Sequence, residues 1–405
     1  MGMFDRPAEC LTIGANANKS HSAFTKNRTV ACALQTYSKV GGLQSFNRRL
    51  FQNLGRRAVE AGEAPVRAFV DDDAHVAIPP LPGVELVAPK SRLAFFAGAF
   101  WSAVFEANTL LVCHINLLPL AIAVRLFRPR LPIVLFVHGF EAWNSQKRPR
   151  KLTEHLFLKA VTRIVSVSRY TAAVMSREFG VPIEKFRILP NAVDHIELPL
   201  APPPRRPFSI LTVTRLSAGE RAKNVHETIA AVAALRQLLP GVSYEIIGEG
   251  ALRPELEALA RELGVDDVVT FRGLVDVNTL QAAYASACVF AMPSDKEGFG
   301  IVYLEAWQYG LPVICSIHGA ASEVVSDGVD GFVVDPADIS ALTTRLYDLL
   351  SKPAFAREMG ERGRQKVEAK YLNANFRVDL STILDELGAS EGEGAVASRH
   401  SQLKF

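Results

Sequence analysis

Cysteine is scarce in this chain, and the spacing of the few that occur excludes two kinds of stabilised domain. Five cysteines occur in 405 residues, and no C-x-x-C or Cys/His spacing connects them. We therefore predict neither a zinc site nor a disulfide framework. Isolated cysteines fit a reducing cytoplasm, where disulfides rarely persist.

Long apolar runs are also missing. Residues 1–28 are mixed and polar, without the apolar core of a secretory signal. The most apolar region, residues 93–137, is interrupted by Glu106, His114 and several arginines. A transmembrane helix needs about 20 uninterrupted apolar residues. We therefore expect no membrane-spanning segment and a cytoplasmic protein.

Charge is distributed unevenly. Residues 1–200 hold 25 Lys and Arg against 15 Asp and Glu, a net +10, and residues 201–405 hold 20 against 27, a net −7. The basic clusters suit an anionic membrane surface, where the protein would lie peripherally on the inner face, or a phosphorylated lipid. The alternative is a solvated basic face without a partner. These clusters are Arg48/Arg49/Arg56/Arg57, Arg125/Arg128/Arg130 and Lys147/Arg148/Arg150/Lys151. No nucleic-acid partner is predicted, because no known module occurs and the basic runs lack interleaved aromatics.

The alternation of strand-like and helix-like segments predicts two doubly wound α/β domains. Such alternation is typical of parallel sheets covered on both faces, and the length of the chain favours two domains. A Pro-rich linker at 198–207 separates the halves, since prolines stiffen the chain. The predicted units are a poorly ordered extension (1–28), a first domain (29–200), a second domain (201–370), a helix near 371–388 that can cross back to the first domain, and a disordered tail (389–405).

One stretch of the second half combines a strand, a Gly-rich turn and a helix. The apolar run 287–292 precedes the turn 295–300 (Asp-Lys-Glu-Gly-Phe-Gly), and a helix is predicted from Ile301. Gly298 and Gly300 allow backbone N–H groups to approach a ligand closely. The start of a helix favours phosphate, because its N–H groups are unpaired and its dipole is positive there.

Two glutamates accompany this turn. Glu297 on the turn would meet the hydroxyls of a sugar, and Glu305 within the helix would accept hydrogen bonds from a ribose. The alternative is a solvated loop glutamate beside a helix-surface glutamate. Because strand, glycines and carboxylates occur together, we predict a sugar-nucleotide site.

Two cations flank the first strand–helix turn of the second half. Arg215 and Lys223 together can neutralise most of a diphosphate without a metal, and the alternative is ordinary loop charge. Arg272 begins a strand-end turn that can receive a flat base against backbone groups; the alternative is a plain turn.

The first half offers two weaker candidates at strand ends, where ligands of parallel sheets gather. Gly41-Gly42 lies between the first strand and the first helix, which is the simplest arrangement that cradles phosphate. His138 ends a strand and is followed by a glycine that opens space. The alternatives are an ordinary Gly turn and a structural histidine.

Two motifs are set aside. Asp71-Asp72-Asp73 resembles a metal-binding acidic motif, but we interpret it as a solvated acidic loop, and no metal is predicted. Gly248-Glu249-Gly250 resembles the start of a dinucleotide fingerprint, yet Arg253 occupies the place of the third glycine. A nicotinamide cofactor is therefore not predicted.

Together these residues resemble the retaining glycosyltransferase family four, which has the GT-B fold of two Rossmann-like domains facing across a cleft. The sequence departs from the family pattern at Asn224 and Ala192, where glycine is usual. The matching pieces are Gly41-Gly42, His138-Gly139, 189–194 (Leu-Pro-Asn-Ala-Val-Asp), Arg215 with Lys223, and Glu297 with Glu305 in a Glu-x7-Glu signature.

The resemblance implies roles for these positions. Arg215 and Lys223 would hold the diphosphate, Glu305 the ribose and Glu297 the donor sugar. Main-chain groups from Gly298 through Phe299 and Gly300 to Ile301 would line the donor, and His138 would lie beside the transferred sugar.

The implied reaction is retaining transfer of a hexose from a UDP- or GDP-sugar to a saccharide or lipid-linked acceptor, in cell-surface polysaccharide or glycolipid assembly, without a cofactor. The departing phosphate would take the acceptor proton. Two alternatives stay open: a non-catalytic nucleotide-sugar-binding subunit and a nucleotide-sugar epimerase of the same architecture.

Overall fold

The computed structural model describes residues 28–39, 41–143, 152–198 and 204–400, with the side chains of residues 142–143, 152–154, 220 and 388–400 left aside. The predicted extension up to residue 27, the basic cluster at 147–151 and the last five residues lie outside these ranges. Within them, two separate parallel sheets form.

The first sheet has seven parallel strands in the order β3-β2-β1-β4-β5-β6-β7. Its central strands are apolar almost throughout, as burial on both faces requires. The strands are β1 (Arg28–Leu34), β2 (Val66–Asp71), β3 (Val84–Val87), β4 (Ala107–Val112), β5 (Ile133–Val137), β6 (Arg163–Ser166) and β7 (Phe186–Ile188).

Helices cover both faces of this sheet. α2, α3 and α6 bury side chains in the core on one face, and α1 packs on the other. Across the described residues, no helix combines the length and apolar character needed to cross a membrane. The helices are α1 (Gly42–Ala61), α2 (Arg92–Phe105), α3 (Leu118–Phe127), α4 (Phe140–Trp143), α5 (Leu152–Lys159) and α6 (Arg169–Phe179).

The second sheet has six parallel strands in the order β10-β9-β8-β11-β12-β13. The strands are β8 (Ser209–Val213), β9 (Ser243–Ile247), β10 (Val269–Gly273), β11 (Val289–Ala291), β12 (Val313–Ser316) and β13 (Gly331–Val334). The helices are α7 (Val225–Leu238), α8 (Arg253–Glu262), α9 (Val277–Ser286), α10 (Ile301–Gln308), α11 (Ala321–Val324), α12 (Ile339–Ser351) and α13 (Pro353–Lys370).

In each sheet, successive strands are added first on one side of the first strand and then on the other. The change of side lies between β1 and β4 in the first sheet and between β8 and β11 in the second. Ligands of doubly wound sheets bind at such switch points, at the carboxyl ends of the strands. The predicted fold class, two doubly wound Rossmann-like domains, is confirmed.

A last helix, α14 (Asn373–His400), packs on the first domain. The Phe376 ring lies edge-on to Phe46 of α1, with centroids 5.4 Å apart, and Asp385 pairs with Arg57 at 2.7 Å. The backbone helix continues past residue 388, where the composition predicts a disordered tail. Residues 389–400 hold three alanines and two glutamates, which favour helix, alongside two glycines, which do not.

Three arginines of the two basic clusters that the structure describes make contacts within the fold. Arg49 pairs with Asp194 at 2.9 Å. Arg125 donates to the carbonyl of Ala160 at 2.7 and 2.9 Å, and Arg128 donates to that of Val104 at 2.7 Å. Arg125 and Arg128 keep their positive charge, because their acceptors are neutral carbonyls, whereas the charge of Arg49 is offset by Asp194.

Candidate functional site

The turn between β11 and α10 lies at the switch point of the second sheet. Gly300 has φ 90°, and a Cβ there would lie 2.2 Å from the Tyr303 ring. That ring is fixed because its hydroxyl donates to the Met292 carbonyl at 2.6 Å. No side chain in the described part of the chain caps α10. Its first N–H groups therefore suit an anionic ligand.

Gly298 lies at one of the points where the two domains touch. A Cβ at this position would lie 2.1 Å from the carbonyl oxygen of His138. Glu323 of α11 makes a second contact across the cleft, where its carboxylate accepts the N–H of Arg169 at 2.9 Å and that of Tyr170. The carboxyl edges of the two sheets therefore face one another.

Lys223 and Glu297 form an ion pair in this cleft. The Lys223 Nζ lies 2.8 Å from Glu297 Oε2, and each side chain is 15% exposed. Lys223 ends a short 3-10 helix (Ala218–Lys223). The adjoining Asn224 has φ 56°, a conformation that Asn tolerates better than most residues. This explains how the chain accommodates Asn where the family pattern has glycine.

The Lys223 turn is fastened to the β11 turn. The Asn224 amide donates to the Pro293 carbonyl at 2.7 Å, and the Asp295 N–H donates to Ala222 at 2.8 Å. These hydrogen bonds hold two segments that are far apart in sequence against each other. They place the Lys223 ammonium beside the Glu297 carboxylate, which was predicted to bind a sugar.

Arg215 follows β8, the strand that neighbours β11, and its side chain is exposed. Its turn packs on the Gly248-Glu249-Gly250 segment, where a Cβ on Gly250 would lie 2.2 Å from the Leu216 carbonyl carbon. These glycines therefore permit close packing of two backbone segments. This packing is a structural reason for the Gly-Glu-Gly sequence that resembles a dinucleotide fingerprint.

Glu305 lies just over one turn into α10 and is partly buried. Burial raises the pKa of its carboxyl, although the Tyr284 hydroxyl, at 2.9 Å, and the nearby Arg49 oppose that shift. Arg49 belongs to α1 of the first domain and Tyr284 to α9. Sequence reasoning assigned neither residue to the site, because only the packing of distant elements brings them to Glu305.

His138 lies at the end of β5 and is held by its surroundings. Its Nε2 lies 3.4 Å from the carbonyl of Cys113, so Nε2 carries the proton and Nδ1 is left as an acceptor. Burial, and then the charge of His114, lower the pKa of His138 to about 3. The Glu141 carboxylate accepts the N–H groups of His138 and Gly139 at 3.0 and 2.9 Å. The imidazole is therefore neutral at ordinary pH and suits a sugar hydroxyl better than an anion.

This pKa predicts how stability depends on pH. The unfolded chain takes up a proton at His138 below about pH 6.5, and the folded protein does so only near pH 3. His138 therefore lowers the stability of the fold as pH falls from about 6.5. In His138→Gln this contribution should vanish, so Tm measured between about pH 4.5 and 7.5 should fall less steeply than in the unchanged protein. If Tm fell equally steeply with pH in both proteins, the His138 ring would be hydrated in the folded state.

Gly41 and Gly42 lie at the start of α1. The loop before them is fixed by Asp73, whose carboxylate accepts the N–H groups of Thr36, Tyr37 and Ser38 at 2.7, 3.0 and 2.8 Å. Asp73 is fully buried.

The prediction of a solvated acidic loop is therefore wrong for Asp73, because three backbone N–H groups donate to its buried carboxylate and stabilise it there. Asp72 accepts from the Gln35 amide at 2.8 Å. The described residues contain no cluster of three or more His, Cys, Asp or Glu suited to a metal ion.

Arg272 is placed differently from the other candidates. Its guanidinium lies 3.5 Å from Glu245 of β9, which also pairs with Arg206. The side chain is thus engaged with the adjoining strand, and only the backbone of this turn remains available to a base.

A cavity of about 800 Å³ opens at the carboxyl ends of β1, β2 and β4 in the first domain. Its lining is mostly polar and includes Gln35, Gln44, Asp72, Lys90, Arg92, His114 and Asn116. It adjoins His138 through His114. Amides, a carboxylate and an imidazole are the groups that hydrogen-bond sugar hydroxyls.

The chain folds into two doubly wound domains that face each other. The Lys223–Glu297 pair and the uncapped start of α10 lie at the switch point of the second domain. This is the architecture of a GT-B glycosyltransferase. Solved structures share it. Sucrose-phosphate synthase from Thermosynechococcus elongatus aligns with a TM-score of 0.72 at 22% identity, over 90% of this chain and 100% of that one. Anabaena HepE in complex with UDP-glucose aligns with a TM-score of 0.68 at 19% identity, over 88% and 99%.

Two sequence models of protein families match the chain, and together they cover most of the described residues. "Glycosyltransferase Family 4" matches residues 40–197, and "Glycosyl transferases group 1" matches residues 202–366. The chain belongs to glycosyltransferase family 4, and the resemblance found in the sequence is confirmed.

Curated relatives share moderate identity. A GDP-mannose-dependent α-(1-6)-phosphatidylinositol monomannoside mannosyltransferase of Mycolicibacterium smegmatis is 35% identical over 249 residues, 57% of this chain and 64% of that protein. The putative colanic acid biosynthesis glycosyltransferase WcaL of Escherichia coli K12 is 28% identical over 221 residues, 52% and 53%. The chain thus spans less than two thirds of the length of either relative.

Proposed function

We propose that this protein transfers a hexose from a nucleoside diphosphate sugar to a saccharide or lipid-linked saccharide, with retention of configuration. The observation that carries the proposal is the ion pair of Lys223 and Glu297 beside the uncapped start of α10. A diphosphate needs cations and N–H donors, and a hexose needs a carboxylate for its hydroxyls. Both requirements are met where the Lys223 turn contacts the turn between β11 and α10.

The donor would lie along this turn. Lys223 and Arg215 would bind the diphosphate together with the N–H groups of α10, Glu297 would accept hydrogen bonds from the hexose, and Glu305 would bind the ribose. Preorganised charge at a departing phosphate is typically the largest contribution to such a reaction.

The acceptor would enter from the polar cavity of the first domain. Its hydroxyl oxygen forms a bond to the anomeric carbon as the bond to the diphosphate oxygen breaks, on the same face. The hydroxyl proton passes to the departing phosphate, so no protein base is required. The neutral His138 would hydrogen-bond the transferred hexose through Nδ1. No metal or cofactor takes part in this scheme.

The kinship with a GDP-mannose-dependent enzyme favours GDP-mannose as the first donor to test. Thermal shift with a panel of UDP- and GDP-sugars should identify a donor, since a ligand at 100 times its Kd stabilises the fold by about 2.7 kcal/mol. UDP and GDP alone are the matched controls. If no nucleoside diphosphate sugar raises Tm, the proposal is wrong.

The same donor then separates the two competing functions. A transferase should convert the donor only slowly by hydrolysis until an acceptor is added, and the product should keep the anomeric configuration. Epimerised sugar nucleotide without acceptor would favour an epimerase. Donor binding without turnover on saccharide or lipid-linked acceptors would favour a binding subunit.

A further inference from the structure

Helices α2 and α3 carry large apolar side chains on the outside of the first domain. Both helices bury their inner sides in the same core. The Phe100 and Phe127 rings lie 5.4 Å apart and join the two helices. The exposed side chains, called the apolar face below, are Leu93, Trp101 and Phe105 of α2 and Leu126 and Phe127 of α3, which are 47–81% exposed.

Cations outnumber acids in the segments that carry the apolar face. Glu106 is the single acidic residue between residues 92 and 140, and it is paired with Arg67. Exposed cations stand next to the apolar face, with Lys90 and Arg92 at the start of α2 and Arg130 after α3. Arg92 also lies 3.7 Å from Asp71, and the exposed Glu85 pairs with Arg28 and Arg67. Exposed apolar side chains bordered mainly by cations match the boundary layer of an anionic bilayer.

The apolar face is continuous with the polar cavity of the first domain. Lys90, Ser91 and Arg92 line that cavity, and α2 begins at the last of them. A molecule whose tail lies in a bilayer beneath α2 could therefore place its head group in the cavity.

We infer that the apolar face inserts into the head-group boundary of an anionic bilayer and brings the cavity to a lipid-linked acceptor. The lipid-linked nature of the acceptor rests on the proposed function; membrane docking does not. An indole ring with an exposed edge, as at Trp101, is favourable at such a boundary. Five large apolar side chains of the apolar face are exposed, so we expect apolar insertion to contribute to the binding together with the exposed cations.

The full chain should float with vesicles of phosphatidylcholine and phosphatidylglycerol, and binding should persist in part at about 0.5 M salt, where exposed charges are screened. In a Trp143→Phe background the emission of Trp101 should shift to the blue, whereas Trp307 is already buried. The double variant W101S/L126S should lose about tenfold or more in vesicle affinity, because two apolar side chains no longer gain free energy by moving from water into the bilayer. The matched control is L238S/V378S, which removes two comparably exposed apolar side chains from α7 and α14.

The inference is overturned if the unchanged chain does not float, or if W101S/L126S floats as well as it does. It is also overturned if the control pair loses affinity equally. Should W101S/L126S instead convert a dimer to a monomer without affecting flotation, the apolar face binds a second copy of this chain. Flotation needs no donor, and transfer to a soluble saccharide needs no vesicle, so this inference and the proposed function can fail separately.

Discussion

Lys223→Ala should weaken donor binding and lower kcat/KM by about 10²–10³-fold, the usual cost of removing one preorganised charge from a reaction centre. The Lys223 ammonium lies in a poorly hydrated cleft, 2.8 Å from Glu297. Its loss removes a cation from the place proposed for the departing diphosphate. It also leaves Glu297 without that partner. Titration calorimetry with the nucleoside diphosphate and steady-state kinetics would measure the two effects.

Lys366→Ala is a matched control for loss of a lysine–acid pair. Lys366 pairs with the buried Asp330 and lies over the Trp307 ring at 5.2 Å, at the amino end of β13. This variant should lower Tm, because an unpaired buried carboxylate is costly, but it should bind the nucleotide normally. Normal kinetics in Lys223→Ala would contradict the proposed diphosphate site.

Gly298→Ala should prevent the two domains from closing and lower kcat by about 10²-fold, since a misplacement near 1 Å can cost that much. The new methyl would lie 2.1 Å from the His138 carbonyl oxygen, whereas an ordinary carbon–oxygen contact is about 3.3 Å. The backbone atom cannot rotate away, so the domains must separate. Small-angle scattering should show a larger radius of gyration, and affinity for the nucleoside diphosphate alone should change much less than kcat.

Glu323→Ala provides a comparison, because it removes a contact across the cleft without adding atoms. Its carboxylate accepts the N–H groups of Arg169 and Tyr170 at the start of α6. We expect weaker closure and a smaller loss of kcat than in Gly298→Ala. If Gly298→Ala left both the radius of gyration and kcat unchanged, the contact at His138 would not belong to the active arrangement.

Much of the architecture could be predicted from local sequence pattern. The apolar runs that became β1, β5 and β12 are flanked by turns and helices, and a pattern of this kind fixes a parallel sheet with its ligand edge at the carboxyl ends. The turn at Gly298 and Gly300 was likewise readable, because strand, glycines and helix occur within a few residues of each other.

Other features could not be read from pattern. Asp73 and Arg125 look like surface charges in the sequence, yet each is engaged by backbone groups of a segment distant in the chain. The backbone of the Arg272 turn was predicted to receive a base, but nothing in the local sequence showed that the Arg272 side chain pairs with Glu245. The direction in which a charged side chain points depends on which partner the packed fold offers, and no local period encodes that.

The sequence by itself determined two α/β domains, a Gly-rich turn, the family and the residues that follow each strand. Only the tertiary structure decided that Lys223 pairs with Glu297, that Arg49 approaches Glu305, and that α2 and α3 present one apolar face. The reason is physical. Periodicity and turn chemistry act over a few residues, whereas each of these contacts joins separate elements that meet only when the sheets and helices pack.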